Sequence, residues 1–219
     1  MTDYTYLTFD CYGTLIDWKT GIVRSLEKTL GRLPVTRDEL MQAYVAAEKA
    51  QEGEYKKYRE VLKGTFEKLA SDMGVRAPEG ASTGFAESVS EWPAYDDASA
   101  ALKKVGKIGL KRYILSNVDD DILEKTIRKN GFQVDGTVTA EEAGSYKPSP
   151  NHWARFLEKT GADKDEVLHV AQSIYHDIIP AGRIGVPSAW VNRYGEPLPA
   201  RVRPTYICDS LEHLIQLLE

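Results

Sequence analysis

The sequence predicts an α/β fold: a Rossmann-like parallel sheet core with helices on both faces and an inserted helical cap domain. Two observations predict it. After residue 93, short apolar segments alternate with helical ones, which is the pattern of a parallel sheet covered by helices. Before residue 93, a single strand is followed by a long stretch with helical periodicity, which indicates an all-helical insertion.

The first strand is predicted over residues 4–9, a short aromatic and β-branched segment that stops at Asp10. The helical insertion follows from about residue 20 to residue 91. Apolar residues recur there at helical spacing: Leu40, Tyr44 and Ala47, and then Tyr55, Tyr58, Leu62, Phe66 and Leu69. The segment 78–84 predicts a break in this stretch, and Trp92-Pro93 closes it.

After Pro93 the sequence predicts a regular succession of strands and helices. Predicted strands cover residues 112–115, 136–139, 167–171 and 189–192, and predicted helices cover residues 97–105, 120–130, 149–160 and 177–184. We therefore expect a core domain formed by residues 1–18 and 93–219, and a cap domain formed by residues 19–92.

Composition predicts a globular protein of the cytoplasm. The 219 residues are 42% hydrophobic, which is enough for one full-sized core. The net charge is −5 and the lysines and arginines are scattered, so no nucleic acid partner is expected. Cys11 and Cys208 suggest neither a disulfide framework nor a zinc motif. The N-terminus lacks signal-peptide features and no apolar stretch is long enough for a membrane helix, so no membrane partner is expected.

Polar residues directly follow three of the predicted strands. Asp10 follows the first strand, residues 116–117 follow the strand at 112–115, and residues 172–177 follow the strand at 167–171. Ligands of open parallel sheets bind outside the carboxyl ends of the strands. The sequence therefore predicts that these three segments converge on one site.

Asp10 has the chemistry of a nucleophile. A carboxylate at the end of a buried strand can attack carbon or phosphorus and form an ester intermediate. Gly13 allows a sharp turn beside it, and the hydroxyl of Thr14 could hold an oxygen. The alternative is that Asp10 is only a helix N-cap, which is a common role for aspartate at the start of a turn.

Four further residues suit an anionic ligand, support of the nucleophile or activation of water. Ser116 and Asn117 suit a small anion or a carboxylate oxygen, or alternatively the cap of the next helix. Lys147 could fix the charge of the nucleophile, although an isolated lysine is normally a solvated surface residue. Asp177 could deprotonate the water that hydrolyses an ester, or could simply start a helix. His176 is more often a surface or packing residue than a catalyst.

Together these residues resemble the four motifs of the haloacid dehalogenase-like superfamily of hydrolases. Phe9-Asp-Cys-Tyr-Gly-Thr-Leu resembles the first motif, Leu115-Ser-Asn the second, Tyr146-Lys-Pro the third and Val170-Ala-Gln-Ser-Ile-Tyr-His-Asp177 the fourth. Their order and spacing agree along the whole chain. The helical insertion after the first motif matches the position of the cap in this superfamily.

Within the superfamily, the first motif is similar to that of the L-2-haloacid dehalogenases. Phosphatases of the superfamily carry a second aspartate where this chain has Tyr12, and an aromatic residue there is characteristic of the dehalogenases, which need no metal or other cofactor. The resemblance implies that Asp10 displaces halide from C2 of a small carboxylate, that Lys147 positions Asp10, and that Asp177 activates water. It also implies substrate binding by Tyr12, Thr14, Ser116 and Asn117, with Thr14 and Ser116 on carboxylate oxygens and Asn117 on the halide.

The chain departs from those dehalogenases in the fourth motif and in the cap. Gln172 replaces the serine that supports the lysine, Ile174 replaces a substrate-contacting asparagine, and His176 replaces an aromatic pocket residue. The cap segment 44–51 lacks the arginine that takes the departing halide, and Arg59 is the nearest later arginine. A halide that leaves without a cation loses a large electrostatic stabilisation.

Two alternative functions stay open at this stage. The first is a magnesium-dependent phosphatase on a small phosphorylated metabolite, with Asp10 and Asp177 as Mg²⁺ ligands. Against it, Gln172 stands where phosphatases usually have an acidic ligand. The second alternative is a binding module with little activity on the same fold.

The cap is expected to close over the site and select the substrate. Its candidate wall residues are Tyr12, Trp18, Tyr44, Tyr55 and Tyr58, and the alternative role of each is core packing. The apolar stripe from Tyr55 to Leu69 could equally pack between protomers. Dimers are common in the dehalogenase branch that the chain resembles, so the resemblance implies a possible homodimer.

Overall fold

The computed structural model describes residues 4–31, 33, 35–51 and 54–219, and these form a six-stranded sheet. The strands are β1 (Tyr6–Phe9), β2 (Lys111–Ser116), β3 (Gly136–Thr139), β4 (Val167–Ala171), β5 (Ser188–Val191) and β6 (Tyr206–Cys208). Their order is β3-β2-β1-β4-β5-β6, and every neighbouring pair is parallel. The direction of connection reverses at β1, which places the topological switch point there. The predicted Rossmann-like α/β fold is confirmed.

Ten α-helices lie within the described residues. They are α1 (Trp18–Leu30), α2 (Arg37–Lys49), α3 (Tyr58–Asp72), α4 (Ala81–Ser88), α5 (Ala98–Lys107), α6 (Asp120–Asn130), α7 (Ala140–Ala143), α8 (Asn151–Thr160), α9 (Ile179–Ile184) and α10 (Leu211–Leu218). Helices α1 to α4 follow β1 and form the predicted helical insertion, and α5 then leads to β2. No helix in these described ranges is both long enough and apolar enough to cross a membrane.

Both faces of the sheet are covered, and its central strands are apolar for that reason. All residues of β1 and β4 are buried, as expected for strands packed on two sides. Leu7 and Phe9 of β1 belong to one core cluster together with apolar residues of α5 and α10. Tyr6 belongs to a second cluster with Trp153 and Phe156 of α8. Alternate residues of one strand therefore hold helices on opposite faces.

The two ends of the helical insertion lie next to each other. Ile16 and Ala94 form an antiparallel bridge, and the backbone N–H of Asp17 donates to Pro93 O at 2.8 Å. These contacts bring the two ends of the insertion side by side next to the first motif. The division into a cap of residues 19–92 and a separate core stays a prediction.

The apolar stripes of the insertion pack within the chain. Tyr44 of α2 and Leu62, Phe66 and Leu69 of α3 are at most 1% exposed. Phe66 also contacts Phe85 of α4, with ring centroids 5.5 Å apart. Most of the stripe that could have joined two protomers is therefore already buried within one chain.

Three local predictions need correction. The sequence predicts a break at 78–84, whereas α4 begins inside this segment after Gly80 takes a left-handed conformation. The helix predicted over 177–184 begins earlier, as a π-helical turn at Ile174–Ile178 that precedes α9. The sequence analysis also misses β6 and α10, although buried residues of α10 lie at helical spacing: Leu211, Leu214, Ile215 and Leu218.

Candidate active site

Asp10 lies just beyond the carboxyl end of β1, at the switch point of the sheet. Its backbone N–H donates to Val170 O on β4 at 3.0 Å, which fixes Asp10 beside the end of the neighbouring strand. Gly13 then turns the chain with a φ of 112°, a conformation that other residues rarely adopt. Helix α1 starts only at Trp18 and is capped by Asp17, so the alternative role of Asp10 as an N-cap is wrong.

Lys147 joins Asp10 to a second carboxylate. Its Nζ donates to Asp10 Oδ1 at 2.8 Å, to Asp177 Oδ1 at 2.7 Å and to Leu115 O at 2.9 Å. These three bonds use all three ammonium protons, and the side chain is 1% exposed. The alternative of a solvated surface lysine is therefore wrong. Residues from three distant segments meet at this ammonium group, as the strand order predicts.

Thr14 holds the second oxygen of Asp10. Its hydroxyl donates to Asp10 Oδ2 at 2.8 Å and accepts the backbone N–H of Gln172 at 3.0 Å. A hydroxyl has a single proton to donate, and Thr14 is completely buried. The predicted contact between Thr14 and a substrate oxygen is therefore corrected, since Thr14 gives its proton to the nucleophile.

Ser116 and Asn117 have different surroundings at the end of β2. The side-chain amide of Asn117 donates to Lys147 O at 3.0 Å and accepts the Lys147 N–H at 2.7 Å, so it holds the loop that carries the lysine. Ser116 Oγ is buried at the cavity wall and has no hydrogen-bond partner among the described residues. Neither residue caps the next helix, because Asp119 is the N-cap of α6. The Ser116 hydroxyl is thus able to bind a substrate oxygen.

A buried histidine that the sequence analysis misses holds Asp177. His169 Nε2 lies 2.9 Å from Asp177 Oδ1, and His169 Nδ1 lies 2.9 Å from Thr8 Oγ1. Since an ionised carboxylate can only accept, Nε2 donates to Asp177, and Nδ1 forms a hydrogen bond with the Thr8 hydroxyl. The available signal was a histidine inside the apolar strand Val167–Ala171, in register with a threonine of β1.

The second oxygen of Asp177 is available for chemistry. Asp177 Oδ2 is buried and has no hydrogen-bond partner within the described ranges, and Asp177 contributes to the cavity wall. The π-helical turn Ile174–Ile178 carries this residue to the end of β4. Because Oδ1 is fixed by Lys147 and His169, Oδ2 is left to accept a proton from a water molecule.

The buried charges separate the pKa values of the two carboxyl groups. Burial raises the pKa of Asp10 above its usual 3.8, with Lys147 opposing this effect and the charge of Asp177 adding to it. Burial also acts to raise the pKa of Asp177, but Lys147 and His169 outweigh it and hold that pKa below 3.8. Burial acts to lower the pKa of Lys147, whereas the two carboxylates raise it overall. Asp177 and Lys147 therefore stay ionised at neutral pH.

A cavity of about 290 Å³ lies between the sheet edge and the helical insertion. This volume is at the small end of the range for ligand sites. Its walls contain Asp10, Tyr12, Trp18, Val45, Glu48, Tyr58, Val61, Trp92, Ser116, Asn117, Val118, Tyr146, Lys147, Gln172, Ser173, His176 and Asp177. The cavity therefore joins the buried Asp10, Lys147 and Asp177 to residues of α2 and α3.

The aromatic wall candidates divide into two groups. Tyr12, Trp18 and Tyr58 line the cavity. Tyr44 is instead buried in the core, and Tyr55 is 37% exposed outside the cavity wall. Tyr44 is thus a core residue and Tyr55 is an exposed one, and neither lines the cavity.

Arg59 does not supply a cation to the cavity. Its Nε donates to Asp119 Oδ2 at 3.0 Å, and its guanidinium also pairs with Asp121. Asp119 accepts the backbone N–H of Tyr58 at 2.7 Å as well, so it ties the start of α3 to the core. Among the described residues that line the cavity there is no arginine, and Lys147 is the single lysine.

The side chains present offer Mg²⁺ only part of a binding site. This ion takes six oxygen ligands in a near-ideal octahedron, usually one or two carboxylates together with water and substrate phosphates. Asp10 and Asp177 each give an oxygen to Lys147, and Gln172 adds only a neutral amide at the position of an acidic ligand. The described part of the chain contains no group of three or more His, Cys, Asp or Glu side chains suited to a metal.

Comparisons with known proteins identify the family of the chain. The family model described as haloacid dehalogenase-like hydrolase matches residues 4–185. The chain is 25% identical to (S)-2-haloacid dehalogenase 4A of Burkholderia cepacia, over 96% of this chain and 90% of that protein. It is 28% identical to the pyrimidine 5'-nucleotidase YjjG of Escherichia coli K12, over 71% and 70% of the two chains.

A solved structure supports the fold over nearly the full length. The L-2-haloacid dehalogenase from Xanthobacter autotrophicus, with chloropropionic acid covalently bound, superposes with a TM-score of 0.83 at 21% identity. The match covers 98% of this chain and 98% of that one. The helical insertion is therefore part of the shared architecture.

Proposed function

Because the chain belongs to the haloacid dehalogenase-like hydrolase family, we propose that it hydrolyses a small 2-substituted carboxylic acid through an ester on Asp10. The leaving group is halide or a related group. The observation that carries this proposal is the buried cluster of Asp10, Lys147 and Asp177 at the cavity wall. Tyr12 stands two residues after the nucleophile, and its phenol hydroxyl bonds to Thr126 at 2.7 Å, so this position supplies no carboxylic acid.

In the first step, a carboxylate oxygen of Asp10 attacks C2 of the substrate. The new O–C2 bond forms as the bond from C2 to the leaving group breaks, and the leaving group departs with the bonding electron pair. Lys147 and Thr14 keep both oxygens of Asp10 in place, which lowers the entropic cost of attack. The unpartnered hydroxyl of Ser116 binds one oxygen of the substrate carboxylate.

In the second step, water attacks the carbonyl carbon of the Asp10 ester. Asp177 Oδ2 accepts a proton from the water, while its Oδ1 stays bound to Lys147 and His169. Negative charge develops on the former Asp10 oxygens, where the Lys147 ammonium and the Thr14 hydroxyl already donate. As the intermediate collapses, the bond between the Asp10 carbonyl carbon and the C2 oxygen breaks, and Asp177 returns its proton to that oxygen, which releases a 2-hydroxy acid. Asp10 then loses its remaining proton to solvent and is regenerated as a carboxylate with one oxygen from water.

We propose that the reaction needs no metal or other cofactor, and that residues 19–92 act as a cap over a core of residues 1–18 and 93–219. A cytoplasmic location is supported by the two cysteines, Cys11 and Cys208, which are both buried and unpaired. A homodimer also belongs to the proposal. Because the stripe on α3 is mostly buried within the chain, the dimer must use another surface.

The test is a parallel assay of halide and phosphate release. Purified protein is incubated with L-2-chloropropionate, with and without EDTA, and with phosphate esters in the presence of magnesium. We expect halide release that EDTA does not reduce and that Asp10→Asn abolishes. In heavy-oxygen water, a single turnover should place the label in the Asp10 carboxylate.

Two results would contradict the proposal. Magnesium-dependent phosphate release without halide release would assign the chain to the phosphatases, in spite of Tyr12 and Gln172. Ligand binding without turnover on either panel, unchanged in Asp10→Asn, would indicate a binding module.

A further inference from the structure

The cavity has a carboxylate on its cap side that the reaction steps do not use. Glu48 of α2 lines the cavity together with Val45 of the same helix and Tyr58 of α3. The opposite wall is the sheet edge that carries Asp10 and Ser116. Glu48 therefore faces the same space as the nucleophile, from the part of the chain expected to select the substrate.

Two tyrosine hydroxyls fix the position of Glu48. Glu48 Oε1 accepts from Tyr58 OH at 2.8 Å and from Tyr44 OH at 3.3 Å. Burial, with the charge of Glu48, raises the pKa of both tyrosines well above 10.0, so both hydroxyls stay protonated and donate. A carboxylate held by two buried donors is an ordered part of the wall, rather than a mobile surface side chain.

The charge of the cavity wall favours a substrate that carries a cation in addition to its carboxylate. Among the described lining residues, three are acidic (Asp10, Glu48 and Asp177) and one is a lysine (Lys147), so the acidic side chains outnumber the lysine by two. All three protons of Lys147 are already donated inside the cluster. A substrate that brings only a carboxylate would add a further negative charge to a small, partly enclosed space.

We propose, on the basis of the function proposed above, that the preferred substrate is a 2-substituted carboxylic acid that also carries an ammonium group, which Glu48 binds. In this arrangement the substrate carboxylate lies toward Ser116, and C2 lies at Asp10. The ammonium group donates to the Glu48 carboxylate at the cap side of the cavity. The substrate is then a zwitterion, and its cation offsets the excess negative charge of the wall.

The test measures binding of two product-like ligands by calorimetry. These are 2-hydroxybutanoate and 4-amino-2-hydroxybutanoate, which differ by the ammonium group. Loss of one charge-assisted hydrogen bond corresponds to about a tenfold or greater change in affinity, so the native protein should prefer the amino ligand by at least about tenfold. Glu48→Gln should remove this preference while its amide oxygen still accepts from both tyrosines. Glu60→Gln is the matched control, because Glu60 pairs with Lys63 outside the cavity.

Equal binding of the two ligands to the native protein would overturn the inference, and so would a preference that survives in Glu48→Gln. Halide release from 2-chlorobutanoate and 4-amino-2-chlorobutanoate is measured in parallel. An ammonium preference in binding without halide release would refute the proposed reaction and leave the role of Glu48 standing. Equal halide release from both acids would leave the reaction standing and refute the role of Glu48.

Discussion

Replacing Lys147 with methionine should destabilise the protein and stop turnover. Methionine keeps a similar length and an apolar stem but removes the ammonium group that lies 2.8 Å from Asp10 Oδ1 and 2.7 Å from Asp177 Oδ1. Two buried carboxylates are then left without their cation, and Leu115 O loses its 2.9 Å donor. Both carboxyl groups become harder to ionise, so Asp10 is a poorer nucleophile at neutral pH.

The expected loss follows from the burial of all three side chains. Removing one partner of a buried ion pair costs about 3–5 kcal/mol. For a chain of this size, each kcal/mol shifts Tm by about 2–4 °C. The variant should therefore unfold about 6–20 °C below the native protein at neutral pH. Adding Asp177→Asn should recover part of this loss, because one of the two uncompensated charges is removed.

The loss should also depend on pH in a defined direction. Without Lys147, the folded-state pKa values of Asp10 and Asp177 both move upward relative to the native protein. A carboxyl group whose folded pKa lies above its unfolded value destabilises the fold at pH above the unfolded value. The difference in stability between native protein and variant should therefore shrink as the pH falls toward 3.8.

Urea unfolding followed by circular dichroism, repeated between neutral and acidic pH, measures these differences. Lys147→Arg serves as the control that keeps the positive charge. A loss below about 1 kcal/mol, in the range of an exposed ion pair, would refute the assignment of a buried charge cluster. An equal loss in the arginine variant would show that side-chain shape, rather than charge, is responsible.

Three further predictions concern the neighbours of this cluster. In His169→Phe, Asp177 loses a hydrogen-bond donor, so ester hydrolysis should slow by about tenfold or more relative to ester formation. Rapid-quench assays of this variant should show a stoichiometric burst of halide. The absence of a burst would argue against a role of His169 in positioning Asp177. Thr14→Val should lower the free energy of unfolding, measured in urea, by about 1–3 kcal/mol, since Gln172 N–H and Asp10 Oδ2 lose their hydrogen-bond partner. Thr14→Ser keeps the hydroxyl and should be close to the native protein. Equal losses in the two variants would contradict the hydrogen-bond explanation. Because burial raises the pKa of Asp10, kcat/KM should rise with pH along an acid limb centred above 3.8, and a limb centred lower would show that the nucleophile ionises as a solvated aspartate does.

The order of strands and helices in the core could be predicted from the sequence because it depends on local patterns. The strand at 136–139, the strand at 167–171 and the helix at 120–130 have the same bounds in prediction and structure. The motif residues follow the ends of these strands, and parallel strands bring their carboxyl ends to one edge. Asp10, residues 116–117 and residues 172–177 could therefore be assigned to one site before any distance was known, and the family resemblance added Lys147.

One of the two C-terminal elements that the sequence analysis missed, strand β6, escaped prediction for a physical reason. β6 is a three-residue edge strand, and its central residue, Ile207, is 48% exposed. Such a strand has too few residues to display a clear periodicity, and it is formed only because β5 offers a free edge. Helix α10 has clear periodicity and was missed without such a reason.

By itself, the sequence determined the fold class and which residues surround the nucleophile. The tertiary structure decided what each side chain does there: the proton of Thr14 goes to Asp10, Arg59 is bound to Asp119, and Glu48 enters the cavity wall. Each of these outcomes depends on which donor and acceptor come within about 3 Å. These distances are set by strand register and by helix packing between segments far apart in sequence, so no local sequence pattern predicts them.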